Sequence, residues 1–176
     1  ALVNDNITIV SLVPTMFHRL LEKYPNFKPS SSLRAILLGG AGAPASLLDK
    51  ALALNLPIAP TYGLTEAASQ VATSTPEQAR KKPGSVGKPL QGTTIDIVDE
   101  SNKSLPKGKI GEIVVSGKTI MRGYLNTPRH KRDLHTGDIG YFDPDGDLWV
   151  LTRRSDLIVS GGENIYPEEV ERALMK

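Results

Sequence analysis

The sequence predicts an α/β protein, in which a parallel, helix-covered sheet segment precedes a β-rich subdomain and the start of a small α+β unit. Up to about residue 74, apolar runs of strand length alternate with runs of helical spacing. From Thr75 onward, prolines and glycines recur and short β-branched segments separate turn clusters. We therefore place domain boundaries that give units 1–75, 76–155 and 156–176.

The first unit reads as three strands joined by two helices. Each strand is an apolar, β-branched run, and each helix has apolar residues three or four apart after a proline or a glycine-rich turn. The predicted strands are 7–13, 33–38 and 57–62, and the predicted helices follow Pro14 and span 45–54. This alternation is typical of a parallel sheet, which we extend to about Val71.

The later units read as short strands. In the second unit we predict strands at 93–98, 110–116, 139–142 and 148–151, and we expect the prolines and glycines between 76 and 92 to exclude a long helix. The last unit begins with a strand at 156–159 and a Gly161-Gly162 turn. A helix then begins at Pro167, with two glutamates in its first turn.

Composition excludes several classes of function. The 176 residues carry a formal charge of +2, too small to favour nucleic acid or an anionic membrane as a partner. There is no cysteine, which excludes disulfides, thiolate metal sites and cysteine nucleophiles within these residues. No apolar run is long enough to span a bilayer. We expect a soluble, cytoplasmic protein, and a homo-oligomer remains open.

Residues 40–45 match the pattern G-x-G-x-x-A between a predicted strand and a helix. This pattern lets a backbone approach a dinucleotide pyrophosphate. However, the expected acidic residue at the end of the next strand is missing, because that strand closes on Thr61-Tyr62. Taken alone, the glycines are explained more simply by a tight strand-to-helix turn.

The segment Tyr62-Gly63-Leu64-Thr65-Glu66 places an aromatic ring, a hydroxyl and a carboxylate at the carboxyl end of a predicted parallel strand. Open α/β sheets bind ligands at this end. The aromatic ring can stack on a base, the hydroxyl can donate to a phosphate, and the carboxylate can bind Mg²⁺. The alternative is a capping threonine followed by a helix-start acid.

Asp138 and Arg153 flank two predicted strands of the β-rich unit. A carboxylate can accept hydrogen bonds from the hydroxyls of a sugar, and a guanidinium can donate several. Taken alone, Asp138 is more simply a turn residue and Arg153 a solvated surface cation.

Seven motifs in order resemble the adenylate-forming superfamily of acyl-CoA ligases, luciferases and peptide-synthetase adenylation domains. They lie at 37–44, 62–66, 84–89, 111–117, 123–126, 136–140 and 153–167. The resemblance spans about residues 7–174. It implies a distorted barrel for the β-rich subdomain and a lid domain for the last unit. It also implies ATP, Mg²⁺ and coenzyme A as cofactors or co-substrates, and a carboxylic acid as substrate.

The resemblance also assigns roles by position. Gly40 and Ala41 would line the adenine and acyl pocket, and Tyr62 and Gly63 would lie against the nucleotide. Thr65 would bind the α-phosphate, Glu66 would ligate Mg²⁺, and Asp138 and Arg153 would hold the ribose. Leu64 and Ser69 would line the substrate pocket. Ser155 and Asp156 would form the hinge, with Ser155 the pivot, and Gly161 and Gly162 would face the coenzyme A channel.

The residues within the motifs favour a coenzyme A ligase over a peptide synthetase, because Leu64 occupies a position at which peptide synthetases prefer proline. The segments 13–16 and 62–73 look most like ligases of menaquinone biosynthesis that use o-succinylbenzoate. Other aryl or fatty acyl-CoA ligases remain alternatives. So do a Rossmann-type dinucleotide-binding protein that uses the Gly40 loop and a non-catalytic chain that packs on others.

Two departures from the superfamily qualify this resemblance. Residues 127–135 are shorter than the usual stretch before Thr136-Gly137-Asp138 and lack its Gly-Trp pair, so we expect an altered loop near the ribose site. The phosphate loop and the lid lysine are not found within the 176 residues. We therefore expect an internal fragment that cannot form an adenylate by itself.

Overall fold

The computed structural model describes residues 2–126, 133–153, 156, 158–160 and 163–174. The strands are β1 Ile9–Leu12, β2 Ala35–Leu38, β3 Ile58–Leu64, β4 Ser69–Thr73, β5 Lys88–Pro89, β6 Thr93–Val98, β7 Gly111–Gly117, β8 Asp133–Phe142, β9 Leu148–Arg153, β10 Ile158–Ser160 and β11 Glu163–Ile165. The helices are α1 Pro14–Lys23, α2 Ala45–Ala53, α3 Pro76–Lys81 and α4 Pro167–Leu174, and a 3₁₀ turn spans Thr65–Ala67.

The first sheet has five strands in the order β1-β2-β3-β4-β5. Its first three strands are parallel, with Leu12 opposite Leu38 and Leu38 opposite Pro60. The predicted parallel segment is confirmed for these strands. The sequence did not predict that β4 and β5 join the same sheet in antiparallel orientation, so the sheet does not remain parallel to Val71.

Helices α1 and α2 form a core with the parallel strands. Phe17 and Leu21 of α1 lie four residues apart, and both are fully buried. Leu48 of α2 joins them with Ile36 and Ile58 of the sheet in one apolar cluster. Burial of each such side chain contributes about 1.5–3 kcal/mol, so the parallel segment has a core of its own.

The second sheet is a four-stranded antiparallel meander in the order β6-β7-β8-β9, which confirms the predicted β-rich subdomain. Strand β6 has the predicted bounds, whereas β8 begins at Asp133 rather than at residue 139. Ile113 and Val115 of this sheet pack in one buried cluster with Tyr62 and Val71 of the first. A shared core therefore joins the two sheets.

Helix α3 was not predicted. Thr75 caps it by accepting from the Gln78 backbone N–H at 3.2 Å, while the Gln78 side chain accepts from the Thr75 N–H at 2.9 Å. Pro76 occupies the first turn, where the N–H it lacks is not needed. The segment Thr75-Pro76-Glu77-Gln78 is thus a helix start, and the prolines and glycines that follow end the helix after six residues.

The last described elements are β10, β11 and α4. The two strands pair antiparallel, and α4 begins at Pro167 as predicted. The predicted strand at 156–159 begins at Ile158 instead. Among the described residues, no helix is long and apolar enough to cross a membrane.

Candidate functional site

A cavity of ≈ 640 Å³ lies at the carboxyl ends of the three parallel strands. Its wall comes from the ends of β1, β2 and β3, the start of α1, and the turn into β4. The lining residues are Ser11, Leu12, Val13, Met16, Gly39, Gly40, Thr61, Gly63, Leu64, Thr65, Ala68, Ser69 and Gln70. This is the edge of an open α/β sheet at which ligands bind.

Five of the predicted site residues share this cavity: Gly40, Gly63, Leu64, Thr65 and Ser69. Ala41, in the same loop as Gly40, does not line it. Gly40 adopts a positive φ of 84°, which lets the chain turn sharply after β2. The cavity wall mixes apolar carbon with hydroxyl and amide groups, as in sites for small organic ligands.

The turn from β3 to β4 is strained. Ala68 has a φ of 61° and its N–H donates to the Thr65 carbonyl at 3.0 Å, which closes the 3₁₀ turn. Ser69 has a φ of 151°. A non-glycine residue in the left-handed region costs about 1–2 kcal/mol, and such strain is often found where a ligand binds.

Tyr62 lies apart from the cavity, in the core between the two sheets, with 9% of its surface exposed. Its phenol donates a hydrogen bond to Oδ2 of Asp138 at 2.5 Å. Oδ1 of Asp138 accepts from Nε of Arg153 at 3.1 Å. The structure thus connects three of the predicted nucleotide-contacting residues, although 76 positions separate Tyr62 from Asp138.

Strand pairing fixes the positions of Asp138 and Arg153, because they are direct partners in the β8–β9 ladder. The Asp138 N–H donates to Oγ1 of Thr136 at 3.0 Å, and the Thr136 hydroxyl donates to the Ile113 carbonyl at 2.7 Å. Gly137 between them has a φ of 71°. The Thr-Gly-Asp sequence therefore forms a bulged segment within β8, and its Asp138 carboxylate meets the Tyr62 phenol.

The protonation states of this group follow from its contacts. Burial and the Asp138 carboxylate raise the pKa of Tyr62 far above its ordinary value, so the phenol keeps its proton and remains the donor. The bond to Asp138 also raises the pKa of Arg153. A carboxylate has about four lone-pair positions, so Asp138 can still accept bonds from a ligand after its two side-chain contacts.

Glu66 belongs to the same electrostatic group. The hydrogen bond from the Tyr124 phenol lowers the pKa of Glu66, and the charge of Arg153 lowers it further. The Glu66 carbonyl accepts from the Met121 N–H at 2.7 Å, which anchors the loop that carries Tyr124. Glu66 is therefore an ionised oxygen donor at neutral pH, the kind of group that Mg²⁺ prefers.

Sequence reasoning missed several residues of this site. The sequence assigns Tyr124 no role beyond its place in the motif 123–126, and its contact with Glu66 crosses 58 positions. Ser11 and Thr61 line the cavity without belonging to a quoted motif, and Met16 and Gln70 line it although the segments 13–16 and 62–73 assigned them no role. Only tertiary structure identifies them.

The predicted hinge and coenzyme A residues fall largely outside the described residues. Ser155, Gly161 and Gly162 lie there. Asp156 is described and exposed.

Three comparisons relate this architecture to known proteins. Residues 1–125 match the family described as AMP-binding enzyme. A 2-succinylbenzoate--CoA ligase from Bacillus licheniformis is 48% identical over 98% of this chain. The o-succinylbenzoate CoA synthetase (MenE) from Bacillus subtilis, in complex with the acyl-adenylate intermediate OSB-AMP, superposes with a TM-score of 0.88, 44% identity and 97% coverage of this chain.

The same Bacillus subtilis enzyme in complex with ATP and magnesium ion gives a TM-score of 0.86 at 44% identity over 97% of this chain. The chain spans 37% of the length of the Bacillus licheniformis relative, and 36% and 37% of the two solved chains. The expected resemblance to adenylate-forming enzymes is confirmed. The dinucleotide-binding interpretation of the Gly40 loop is set aside, because the family match covers that loop.

Proposed function

Because the chain belongs to the AMP-binding enzyme family, we propose that it forms the adenylate-binding part of an acid–thiol ligase. The acid that we propose is o-succinylbenzoate, an aromatic keto-dicarboxylic acid of menaquinone biosynthesis. Support comes from relatives at 43–48% identity that are named 2-succinylbenzoate--CoA ligase. The co-substrates are ATP and coenzyme A, and we propose a cytoplasmic location because both are abundant there.

The reaction has two steps. In the first, a carboxylate oxygen of the acid attacks the α-phosphorus of ATP, and the bond to pyrophosphate breaks. In the second, the thiol sulfur of coenzyme A attacks the acyl carbon of the adenylate, AMP leaves, and the thiol proton is released. The residues of this chain bind and orient the adenylate through both steps.

The nucleotide part of the adenylate would lie across Tyr62, Asp138 and Arg153. Adenine would stack on the Tyr62 ring, whose orientation the bond to Asp138 fixes. The ribose hydroxyls would donate to the remaining lone pairs of Asp138 and accept from Arg153, whose side chain is 64% exposed.

The phosphate part would lie at the end of β3. Thr65 lines the cavity and directly precedes Glu66 in the chain, and its hydroxyl would donate to an α-phosphate oxygen. Glu66 would hold Mg²⁺, which when bound neutralises phosphate charge. Tyr124 orients the Glu66 carboxylate, because its phenol donates to Oε1.

The acyl part would occupy the cavity. Leu64 offers an apolar side chain and Ser69 a hydroxyl, which suit an aromatic acid with polar substituents. Gly40 and Ala41 would contribute backbone where the acyl and adenine parts meet. We keep Ser155 and Asp156 as the proposed hinge and Gly161 and Gly162 as the coenzyme A loop, on the resemblance of the motif 153–167.

One observation carries this proposal. The Tyr62–Asp138–Arg153 group joins the two sheets through β3, and the ligand-sized cavity lined by Gly63, Leu64 and Thr65 begins at the residue after Tyr62. A core-stabilising polar cluster would not require an adjacent cavity or a strained turn. The arrangement fits a ligand that has a flat base, vicinal hydroxyls, a phosphate and an acyl group.

Calorimetric titration of the 176-residue chain tests it. We expect AMP to bind, a non-hydrolysable o-succinylbenzoyl-adenylate analogue to bind at least about tenfold more tightly, and NAD to bind more weakly than AMP. Asp138→Asn should weaken AMP binding about 10–100-fold, since a hydrogen bond to a charged group contributes about 1.5–3 kcal/mol. Asp133→Asn, at the exposed start of the same strand, should leave the affinity unchanged.

Equal affinity for AMP and the analogue would refute the assignment of the cavity to the acyl group. Unchanged AMP affinity in Asp138→Asn would refute the nucleotide site. Preference for NAD would restore the dinucleotide-binding interpretation.

A further inference from the structure

Lys82 makes three short ion pairs at a second junction between the two sheets. Its ammonium lies 2.6 Å from Oδ2 of Asp143, 2.6 Å from Oδ2 of Asp145 and 2.7 Å from Oδ2 of Asp147. Lys82 follows α3, whereas the three aspartates form the turn between β8 and β9. We call these four residues the Lys82 clamp.

The turn is constructed so that its carboxylates converge. Oδ1 of Asp143 accepts from the N–H groups of Asp145 and Asp147, both at 3.0 Å. Gly146 has a φ of 83°, which allows the tight return. Trp149 Nε1 donates to Oδ2 of Asp143 at 3.2 Å. The only tryptophan of the chain therefore contacts the same oxygen as Lys82.

The charges of the clamp support each other. Burial raises the pKa of Asp143, but Lys82, the Asp147 N–H and Trp149 outweigh burial and hold that pKa at about 2. The three carboxylates raise the pKa of Lys82. Three carboxylates whose oxygens lie this close could also hold a cation, and the Lys82 ammonium is the cation in contact with them.

The segment after Lys82 adds hydrogen bonds to the start of β9. The Val86 N–H donates to the Leu148 carbonyl at 3.0 Å, and the Leu148 N–H donates to the Gly87 carbonyl at 2.7 Å. The Ser85 hydroxyl also donates to the Leu148 carbonyl, at 3.1 Å. Residues 82–87 thus attach the start of β9 to the first sheet.

The clamp and the proposed ribose pair lie at opposite ends of one ladder. Phe142 pairs with Leu148 beside the clamp, and Asp138 pairs with Arg153 at the other end. Asp138 and Phe142 lie four positions apart in β8, a length of about 13 Å at roughly 3.3 Å per residue. A displacement of the hairpin at the clamp would therefore move Asp138 and Arg153 relative to Tyr62.

We propose that Lys82 is a positioning residue for nucleotide binding: by anchoring the β8–β9 turn, it holds Asp138 and Arg153 in place to receive the ribose. The inference rests on the proposed function, because it requires that Asp138 and Arg153 bind a ribose. Lys82 itself does not touch the ligand.

The experiment measures discrimination between AMP and 2′,3′-dideoxy-AMP. In the unchanged chain we expect AMP to bind about tenfold or more tightly than the dideoxy compound, since ribose hydroxyls bonded to charged groups contribute strongly. Lys82→Met keeps an unbranched side chain of similar length, one atom shorter, but removes the charge. It should reduce the ratio to about threefold or less. A general loss of stability would weaken both ligands alike and leave the ratio unchanged.

Lys81→Met is the matched control, because Lys81 is the residue next to Lys82. Within the described part of the chain, its ion pair is with Glu77 on the surface of α3. This variant should preserve the ratio. Fluorescence of Trp149 reports whether the clamp has opened, and its emission should change in Lys82→Met but not in Lys81→Met.

The outcomes separate the two proposals. If the unchanged chain does not discriminate between the two nucleotides, the proposed ribose site is wrong, and this inference falls with it. If the unchanged chain discriminates, and Lys82→Met alters Trp149 emission yet keeps the ratio, the positioning role is wrong and the ribose site stands. Should Lys82→Met fail to fold, Asp143→Asn, which is isosteric, is judged by the same ratio.

Discussion

The two polar junctions between the sheets differ in the hydrogen-bonding positions that they leave available for a ligand. At the Lys82 clamp, three carboxylates converge on one ammonium, and the adjoining segment adds three hydrogen bonds to Leu148. At the junction of Tyr62 with Asp138, one carboxylate accepts two side-chain bonds beside a cavity and a strained turn.

This difference distinguishes a junction that only joins two elements from one that can also bind a ligand. The clamp uses opposite charges that partner each other, so it holds two elements together without leaving donors for a ligand. The Tyr62–Asp138 junction keeps lone pairs and an exposed guanidinium available next to a ligand-sized space. Substitutions at the clamp should therefore change stability and geometry, and substitutions at the other junction should change affinity.

The largest expected effect lies in the segment that follows Lys82. Gly87 has a φ of 76°, and a Cβ there would lie 2.5 Å from the Cα of Ser74. Gly87→Ala should lower the free energy of unfolding by about 3 kcal/mol or more. The new Cβ would force the backbone at Ser74 to move, and alanine would also be strained at this positive φ. Gly108→Ala is the control, since Gly108 has a φ of 81° and open space around a Cβ. It should cost only about 1 kcal/mol.

Urea denaturation of the two variants measures this difference. Equal losses would show that close packing of Gly87 against Ser74 contributes nothing to the attachment, which would contradict the described role of residues 82–87.

A smaller effect is expected at Tyr62. Tyr62→Phe removes the donor to Asp138 but keeps the ring, so AMP affinity should fall about three- to tenfold, or roughly 1 kcal/mol. Tyr24→Phe, at an exposed tyrosine after α1, should have no effect. Titration calorimetry compares the two variants. An unchanged affinity in Tyr62→Phe would mean that the phenol does not orient Asp138 for the ligand.

A third expected effect is a pH dependence of stability at the clamp. The pKa of Asp143 lies at about 2 in the fold, below its ordinary value of 3.8. Ionised Asp143 therefore stabilises the fold above pH 4, and this contribution is lost as the pH falls from 4 toward 2. The difference in Tm between the unchanged chain and Asp143→Asn should shrink over that interval. A constant difference would contradict the charge interaction with Lys82.

Much of the fold could be predicted from local patterns. The strand at Thr93–Val98, the helix start at Pro167 and the alternation of the first three strands depend on apolar period and on residues that begin or end elements. Strand β4 was missed because Ser69–Thr73 is half polar, and its pairing with β3 depends on a tight turn at Ala68. Helix α3 was missed because the prolines and glycines that follow it, between 83 and 92, indicated turns and outweighed the capping pattern at Thr75–Gln78.

The residues of the candidate site could be predicted from the sequence, but the contacts between them could not. Motif order pointed to Tyr62, Glu66, Asp138 and Arg153, but no local pattern indicates that the Tyr62 phenol meets Asp138. The Lys82 clamp was not foreseen, because its ion pairs join positions 61 to 65 residues apart. Contacts of such separation follow from the packing of the two sheets, which a sequence pattern does not encode.

One nucleotide site should span both sheets, and NMR titration of the chain with AMP tests whether it does. We predict that backbone amide signals of residues 62–66 on the first sheet and of residues 136–138 on the second shift together, with one shared saturation curve. Signals near Asp145, at the clamp, should shift little. Shifts confined to one sheet, or two groups of signals that saturate at different AMP concentrations, would contradict a single site built across the junction.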